Sequence, residues 1–294
     1  MYNSKFPSIS ILGCGWVGKP LALHLQAAGY RVKGSRTTAA GVEEMNRLGV
    51  QGCLVKLEET KMTADPEFWD ADVLIIDVPP RMQRGEGAFV EEMTTLVGHL
   101  RTTRIGKVIF ISSTSVYPNV NDKVTEECTK LPDTPNGLAL LKAEQLLMQA
   151  TAWDTVVLRF GGLAGYDRMP TTQRKVNEAK GQDMPLNLIH RLDCLGVIAA
   201  VLEKDCWNEV FNACASSHPM KFNYHVAAAA HYGFLRPRRK TPDDESYKIV
   251  SNSKLKKMLG YTFIYDNPLE FFEAEPGSSA GKMAEADRQG SKQV

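Results

Sequence analysis

Three groups of residues in this chain have types and spacings that could do chemistry. The first is Gly13-Cys14-Gly15-Trp16-Val17-Gly18, set between an apolar run and an amphipathic one. Glycines at this spacing do separate jobs. Gly13 permits a tight turn, Gly15 lets a pyrophosphate approach the backbone, and Gly18 lets the following helix pack closely on the strand. Phosphates would then sit at the helix N-terminus, where N–H groups and the helix dipole favour anions. The motif is weak alone, but here it follows a strand, opens a helix and begins a βαβ unit. A glycine turn that serves packing only is the competing reading. The context makes dinucleotide binding by Gly13 to Gly18 the expectation.

The second group lies about twenty residues on, where a site for NAD wants an acid to hold the ribose 2′-hydroxyl. The sequence there is YRVKGSRTTAAG, with no acid before Glu43. Ser35, Arg36, Thr37 and Thr38 offer hydroxyls and a guanidinium instead. That set suits a 2′-phosphate, so NADP is the expected cofactor. A solvated surface arginine is the alternative. Val78, Pro79 and Pro80 end the apolar run DVLIIDV and are expected to border the same cofactor. The third group is ISSTSVYP, with Ser112, Ser113, Thr114, Ser115 and Tyr117. Ligands of open α/β sheets bind outside the carboxyl ends of strands, so a hydroxyl-rich strand end there is placed for cofactor (Ser112) and substrate contact. A capping and turn cluster would use the same residue types.

The elements that must position these groups alternate. SISIL (8–12), YRVKGS (30–35), CLVKL (53–57), DVLIIDV (72–78), KVIFISS (107–113) and TVVLRF (155–160) read as strands. Helices are expected over 18–29, 40–49, 87–101 and 135–150. Such alternation means parallel strands with right-handed helical crossovers, the doubly wound α/β sheet. The expected architecture is a Rossmann domain over 1–165 and a small C-terminal substrate lobe over 166–275. Segment 187–215 would return to the core, and 276–294, almost without apolar residues, would be a disordered tail.

Composition excludes several classes of function. The 294 residues carry 35 basic and 34 acidic side chains, a net charge of +1, so no global field would draw in nucleic acid or an anionic membrane. A small-molecule partner is expected. The six cysteines form no Cys-x-x-Cys pair and no histidine cluster has ligand spacing, so neither a metal nor a disulfide framework is expected. MYNSKFPSIS lacks the charged start and apolar core of a signal peptide, and no apolar run reaches the ~18 residues of a membrane span. A cytoplasmic location is the expectation.

Taken in order, GCGWVG, FISSTSVYP, VTEE, the Pro135–Glu144 helix start, LRFGGLAG, LIHRLDCLGVI and EVFNA resemble the extended short-chain dehydrogenase/reductase family, the NAD(P)-dependent epimerase/dehydratases of nucleotide sugars. The likeness spans roughly residues 8–272. It implies that Ser113 hydrogen-bonds the substrate oxygen and that Lys142 holds the nicotinamide ribose. It also implies a proton-transferring tyrosine four residues before that lysine, where this chain has Leu138. Leucine transfers no proton. Tyr117, Lys142 itself, Tyr166 and His190 are the candidates to replace it. Two functions follow: an NADP-dependent oxidoreductase or epimerase-like enzyme acting on a carbonyl, carbinol or sugar derivative, or a catalytically silent NADP-binding protein. Family members pair through the helices that include the Lys142 helix, and the apolar Leu138–Leu147 stretch permits such a homodimer.

Overall fold

The computed structural model describes residues 7–80, 87–177, 184–239 and 246–272. An eight-stranded sheet organises them, in the order β11-β8-β6-β5-β1-β2-β3-β4. Its strands are β1 (Ser8–Leu12), β2 (Arg31–Arg36), β3 (Gln51–Leu57), β4 (Met62–Ala64), β5 (Val73–Ile76), β6 (Lys107–Ser113), β8 (Asp154–Phe160) and β11 (Glu209–Ala213). All neighbours pair parallel except β3 and β4. The central strands are mostly apolar because helices cover both faces. The pleat divides their side chains. Ile9, Ile11, Val73, Ile75, Ile109 and Ile111 pack with Leu21 and Leu25 of α1 (Gly18–Ala27) and with Val197 and Ile198 of α6 (Arg191–Lys204). Leu12, Leu74, Ile76, Val108 and Phe110 pack on the other face with Met93 and Leu96 of α3 (Ala88–Leu100) and Leu140 and Ala143 of α4 (Pro135–Met148).

β1 lies between β2 on one side and β5 on the other. The strand order reverses there, which opens a crevice at the carboxyl ends. Gly13 follows β1, Asp77 follows β5, and Arg36 and Ser113 end β2 and β6. All four therefore reach one edge of the sheet.

The strands and helices expected from the periodicity are present, with ends moved by at most three residues. Short pieces went unseen in the sequence: β4, β7 (Asp122–Val124), β9 (Gly162–Ala164), α5 (Gln173–Asn177) and β12 (Lys248–Val250). Each is three to five residues long, too short to show a period. β9 pairs with β10 (Leu188–His190), and β12 with β7. Beyond Gly165 a separate cluster forms around Met169, Val176, Tyr224, Ala228, Phe271 and Phe272, built largely on α7 (Lys221–Tyr232). The tail expected to be disordered lies outside the described residues.

Candidate cofactor and substrate site

The glycine loop has the geometry that its three glycines imply. Gly13 sits at φ +100°, and a Cβ there would lie 2.2 Å from the Asp77 carbonyl oxygen. A Cβ on Gly18 would lie 2.3 Å from the Gly13 carbonyl oxygen, so α1 closes tightly on β1. A Cβ on Gly15 would meet no atom within 4 Å, which leaves that side of the loop open to a ligand. Ser35 braces the loop from beneath: the Gly13 N–H donates to its Oγ at 2.9 Å, and the Cys14 N–H to its carbonyl at 3.1 Å. Ser35 is buried, so its hydroxyl holds the loop and is not offered to a ligand. Cys14 and Val17 are likewise core residues. Burial pushes the Cys14 thiol up to about 12, so it is no nucleophile.

Arg36 is half-buried beside the loop. Its Nη1 donates to the Cys14 carbonyl at 2.5 Å, and its Nη2 lies 3.4 Å from Glu44 of α2 (Ala39–Arg47). Lys19 reaches the same carboxylate at 2.9 Å. Two cations share one acid, so the end of β2 keeps a positive balance. Thr37 is exposed, and Thr38 caps α2 by accepting from the Gly41 N–H. Lys19 and Glu44 escaped the sequence reading because only the fold brings α1 and α2 together at this point.

Asp77 also escaped it. Its carboxylate accepts the Gly18 N–H at 3.0 Å, under the loop where α1 begins. Burial raises its pKa to about 7, with the Gly18 N–H and Arg168 pulling the other way. Val78 and Pro80 are half-buried and Pro79 is exposed at the same strand end.

The hydroxyl cluster after β6 divides. Ser112 is buried and donates to Glu144 Oε1 at 2.6 Å. Glu144 in turn pairs with the buried Arg159, Nη2 to Oε2 at 2.6 Å. Arg159 Nη1 donates to the Tyr117 hydroxyl at 2.6 Å, and that hydroxyl donates to Asn212 Oδ1 at 2.7 Å. Tyr117 is 2% exposed and burial pushes its pKa up to about 12. The expectation that Tyr117 serves as proton donor therefore meets a hydroxyl already committed to an internal network, and Ser112 is held in the same network. Ser113 is half-buried, and its Oγ accepts from the Ser115 N–H at 3.1 Å.

α4 begins at Thr134, whose Oγ1 accepts the Gly137 N–H at 3.1 Å. A Cβ on Gly137 would lie 2.2 Å from the Ser115 carbonyl, so the helix start presses against the turn after Ser113. Gly137, Ala139, Leu140, Ala143, Glu144 and Leu147 form the buried face. Leu138 is 37% exposed and Lys142 is exposed. The sequence places Lys142 among leucines, but it lies on the open face of α4 with Leu138, not on the core face.

His190 and Tyr166 are packed. His190 is fully buried, caps α6 by accepting the Leu192 N–H, and lies against the Tyr265 ring at 4.1 Å. Tyr166 is buried, with the Arg191 guanidinium 4.2 Å from its ring. Trp16 ties the glycine loop to this segment: its Nε1 donates to Asp167 Oδ1 at 2.7 Å, and the Arg168 guanidinium lies 4.4 Å from its ring. Among the described residues no three His, Cys, Asp or Glu side chains gather as metal ligands would, and no helix is long and apolar enough to cross a membrane.

The strand order, with its reversal beside β1 and the glycine turn that follows it, defines a doubly wound α/β fold. A short-chain dehydrogenase/reductase superfamily protein from Agrobacterium tumefaciens, solved with NAD bound, superposes with a TM-score of 0.73 at 19% identity over 97% of this chain and 99% of that one. UDP-glucuronic acid 4-epimerase from Bacillus cereus, in complex with NAD, gives 0.74 at 19% identity over 91% and 97%. UDP-glucose 4-epimerase from Thermotoga maritima gives 0.71 at 18% over 90% and 98%. These are likenesses of fold. No family model matches the chain. Protein YeeZ of Escherichia coli K12 is 32% identical over 267 residues, which covers 89% of this chain and 97% of that protein. The chain belongs to the family of Protein YeeZ.

Proposed function

We propose that this protein is an NADP-dependent oxidoreductase or epimerase-like enzyme acting on a small carbonyl, carbinol or sugar-derived substrate. The observation that carries the reading is the open glycine loop with Arg36 and Lys19 at its adenosine end. Gly15 leaves room for the pyrophosphate, and the cations suit a 2′-phosphate better than a bare hydroxyl. NAD in the solved relatives supports a nicotinamide nucleotide at this edge of the sheet. The cofactor would supply or accept the hydride. Ser113 would orient the substrate oxygen, and Lys142 on the open face of α4 would hold the ribose hydroxyls. Tyr117, Tyr166 and His190 are engaged elsewhere, which leaves Lys142, solvent or the substrate as the proton source.

A second reading is favoured by Leu138: a protein that binds NADP without turning it over. Titration with NADPH and NADH, followed by nicotinamide fluorescence, tests what both share. Tight NADPH and weak NADH are expected. Binding of neither removes both readings, and NADPH oxidation with any member of a carbonyl panel removes the silent one. Six free cysteines suit the cytoplasmic location we infer. Leu131 and Leu138, 68% and 37% exposed near the start of α4, support pairing of two copies through that helix.

A further inference from the structure

We propose that Asp77 couples nucleotide binding at the glycine loop to proton uptake, because its carboxylate already stands at the helix start that would receive the pyrophosphate. The inference rests on the cofactor reading above and adds to that site a residue that weighs its charge. Asp77 Oδ2 accepts the N–H of Gly18, the first residue of α1, at 3.0 Å. The N–H groups and dipole of a helix start are what a phosphate would use. An acid fixed there is a second anion drawing on the same field. The strand order brings it to this place. β5 is the neighbour of β1, and Asp77 follows β5 as Gly13 follows β1. The Asp77 N–H donates to the Leu12 carbonyl at 2.8 Å, and its own carbonyl lies where a Cβ on Gly13 would be. A Cβ on Gly18 would lie 3.2 Å from the carboxylate, so the acid and the loop are packed against one another.

The charges around Asp77 come from three other elements. Arg168, after β9, favours the ionised carboxylate. Cys14 of the loop and Cys194 of α6 feel its charge, but burial keeps both thiols protonated well above neutral pH, so neither titrates beside it. Burial also lifts the Asp77 carboxyl to about 7, which leaves it near half ionised at neutral pH. A pyrophosphate at the start of α1 brings further negative charge, and like charge disfavours ionisation. The carboxyl is therefore protonated more fully in the complex than in the free protein. Affinity for the nucleotide is full below pH 7 and falls as the pH rises through it. The 2′-phosphate of NADPH has its own ionisation near pH ~6, and its added charge would tighten binding to Arg36 as pH rises, the opposite sign.

The test titrates the full chain and Asp77→Asn with NADPH by nicotinamide fluorescence across this range. Asparagine can accept the Gly18 N–H through its side-chain oxygen and does not titrate. The 2′-phosphate contributes equally to both proteins, so the ratio of their dissociation constants isolates Asp77. That ratio, wild type over variant, should rise about fivefold to tenfold between about pH 6 and pH 8. Calorimetry near neutral pH, in two buffers of different ionisation enthalpy, should find proton uptake on binding in wild type beyond that in Asp77→Asn. Parallel pH profiles with equal proton uptake would overturn the proposal and leave the cofactor reading standing. Absence of NADPH binding by either protein at every pH would sink the cofactor reading, and this inference with it.

Discussion

Arg36 offers the sharpest test of the cofactor. Its guanidinium has a neighbour on each side, the Cys14 carbonyl at 2.5 Å and the Glu44 carboxylate at 3.4 Å. Arg36→Asp removes both and adds a second acid where Glu44 already stands. For NADPH the loss includes a charge-assisted contact with the 2′-phosphate, worth about 1.5–3 kcal/mol. That is a factor of about 10 to 150 in Kd, before the added repulsion is counted. NADH has no phosphate there and loses only the brace on the Cys14 carbonyl, a loss that NADPH shares and that cancels in the ratio. An aspartate at the end of β2 can also accept from a free ribose 2′-hydroxyl and return part of that. The ratio of the two dissociation constants, read by nicotinamide fluorescence, should therefore shift toward NADH by tenfold or more. Glu44→Gln is the companion variant: it releases Lys19 and Arg36 from their shared acid and should tighten NADPH only, by no more than severalfold. Equal weakening of both nucleotides by Arg36→Asp would show that Arg36 holds the loop and reads no phosphate.

Gly15→Ala should leave the thermal midpoint within about 2 °C of wild type, since its Cβ meets nothing, yet weaken NADPH at least tenfold; Gly18→Ala, 2.3 Å from a carbonyl, should lower the midpoint as well. Lys142→Ala should weaken cofactor binding without changing thermal stability, because the side chain is exposed on α4; unchanged nucleotide affinity would return Lys142 to the role of a surface lysine. Asp77 has a folded pKa of about 7, above its unfolded value, so its contribution to stability is full below pH ~4 and is lost as pH rises through 7. Asp77→Asn should thus be the more stable protein at pH 8, by at most about 4 kcal/mol, with the difference gone near pH 4 in thermal melts. Glu144→Ala strands the buried Arg159 charge and should cost about 3–5 kcal/mol, roughly 10 °C in midpoint, while replacing both partners by apolar residues should recover most of it.

What could be read from the sequence follows from the range of the interaction involved. The sheet and its covering helices declare themselves through local periods of two and 3.6 residues, so β1, β6 and α4 are legible from their own residues. The glycine loop is legible too, because a tight turn, a close helix and an open backbone each demand glycine at a fixed offset. Ser35 is the instructive exception. It has the right type and place for a ribose contact, but the Gly13 N–H at the end of the neighbouring strand claims its hydroxyl. Glu44 and Asp77 lie 31 and 64 residues beyond Gly13 in sequence, and no local pattern connects them to it.

The hydroxyl cluster shows how far a strand end can mislead and where it still informs. β6 alternates strictly. Phe110 faces the α4 side, so two residues on Ser112 faces it as well, and there it meets Glu144. Ser113 takes the opposite face, with Ile109 and Ile111, the side on which Cys14 and Val17 of the glycine loop are packed. One step along the chain thus separates a buried structural hydroxyl from one placed on the side of the glycine loop. Tyr117 belongs with the former, since Asn212 of β11 and Arg159 of β8 hold it from two neighbouring strands. That network fixes the turn against which Gly137 packs, and with it the face of α4 that carries Leu138 and Lys142. The tyrosine in this region therefore has a reason to be present that owes nothing to proton transfer. A Tyr117→Phe variant would keep its fill of the core and lose two hydrogen bonds. It should lower thermal stability while leaving the pH dependence of any turnover unchanged. A pH profile that moved with Tyr117→Phe would instead make this phenol the missing acid.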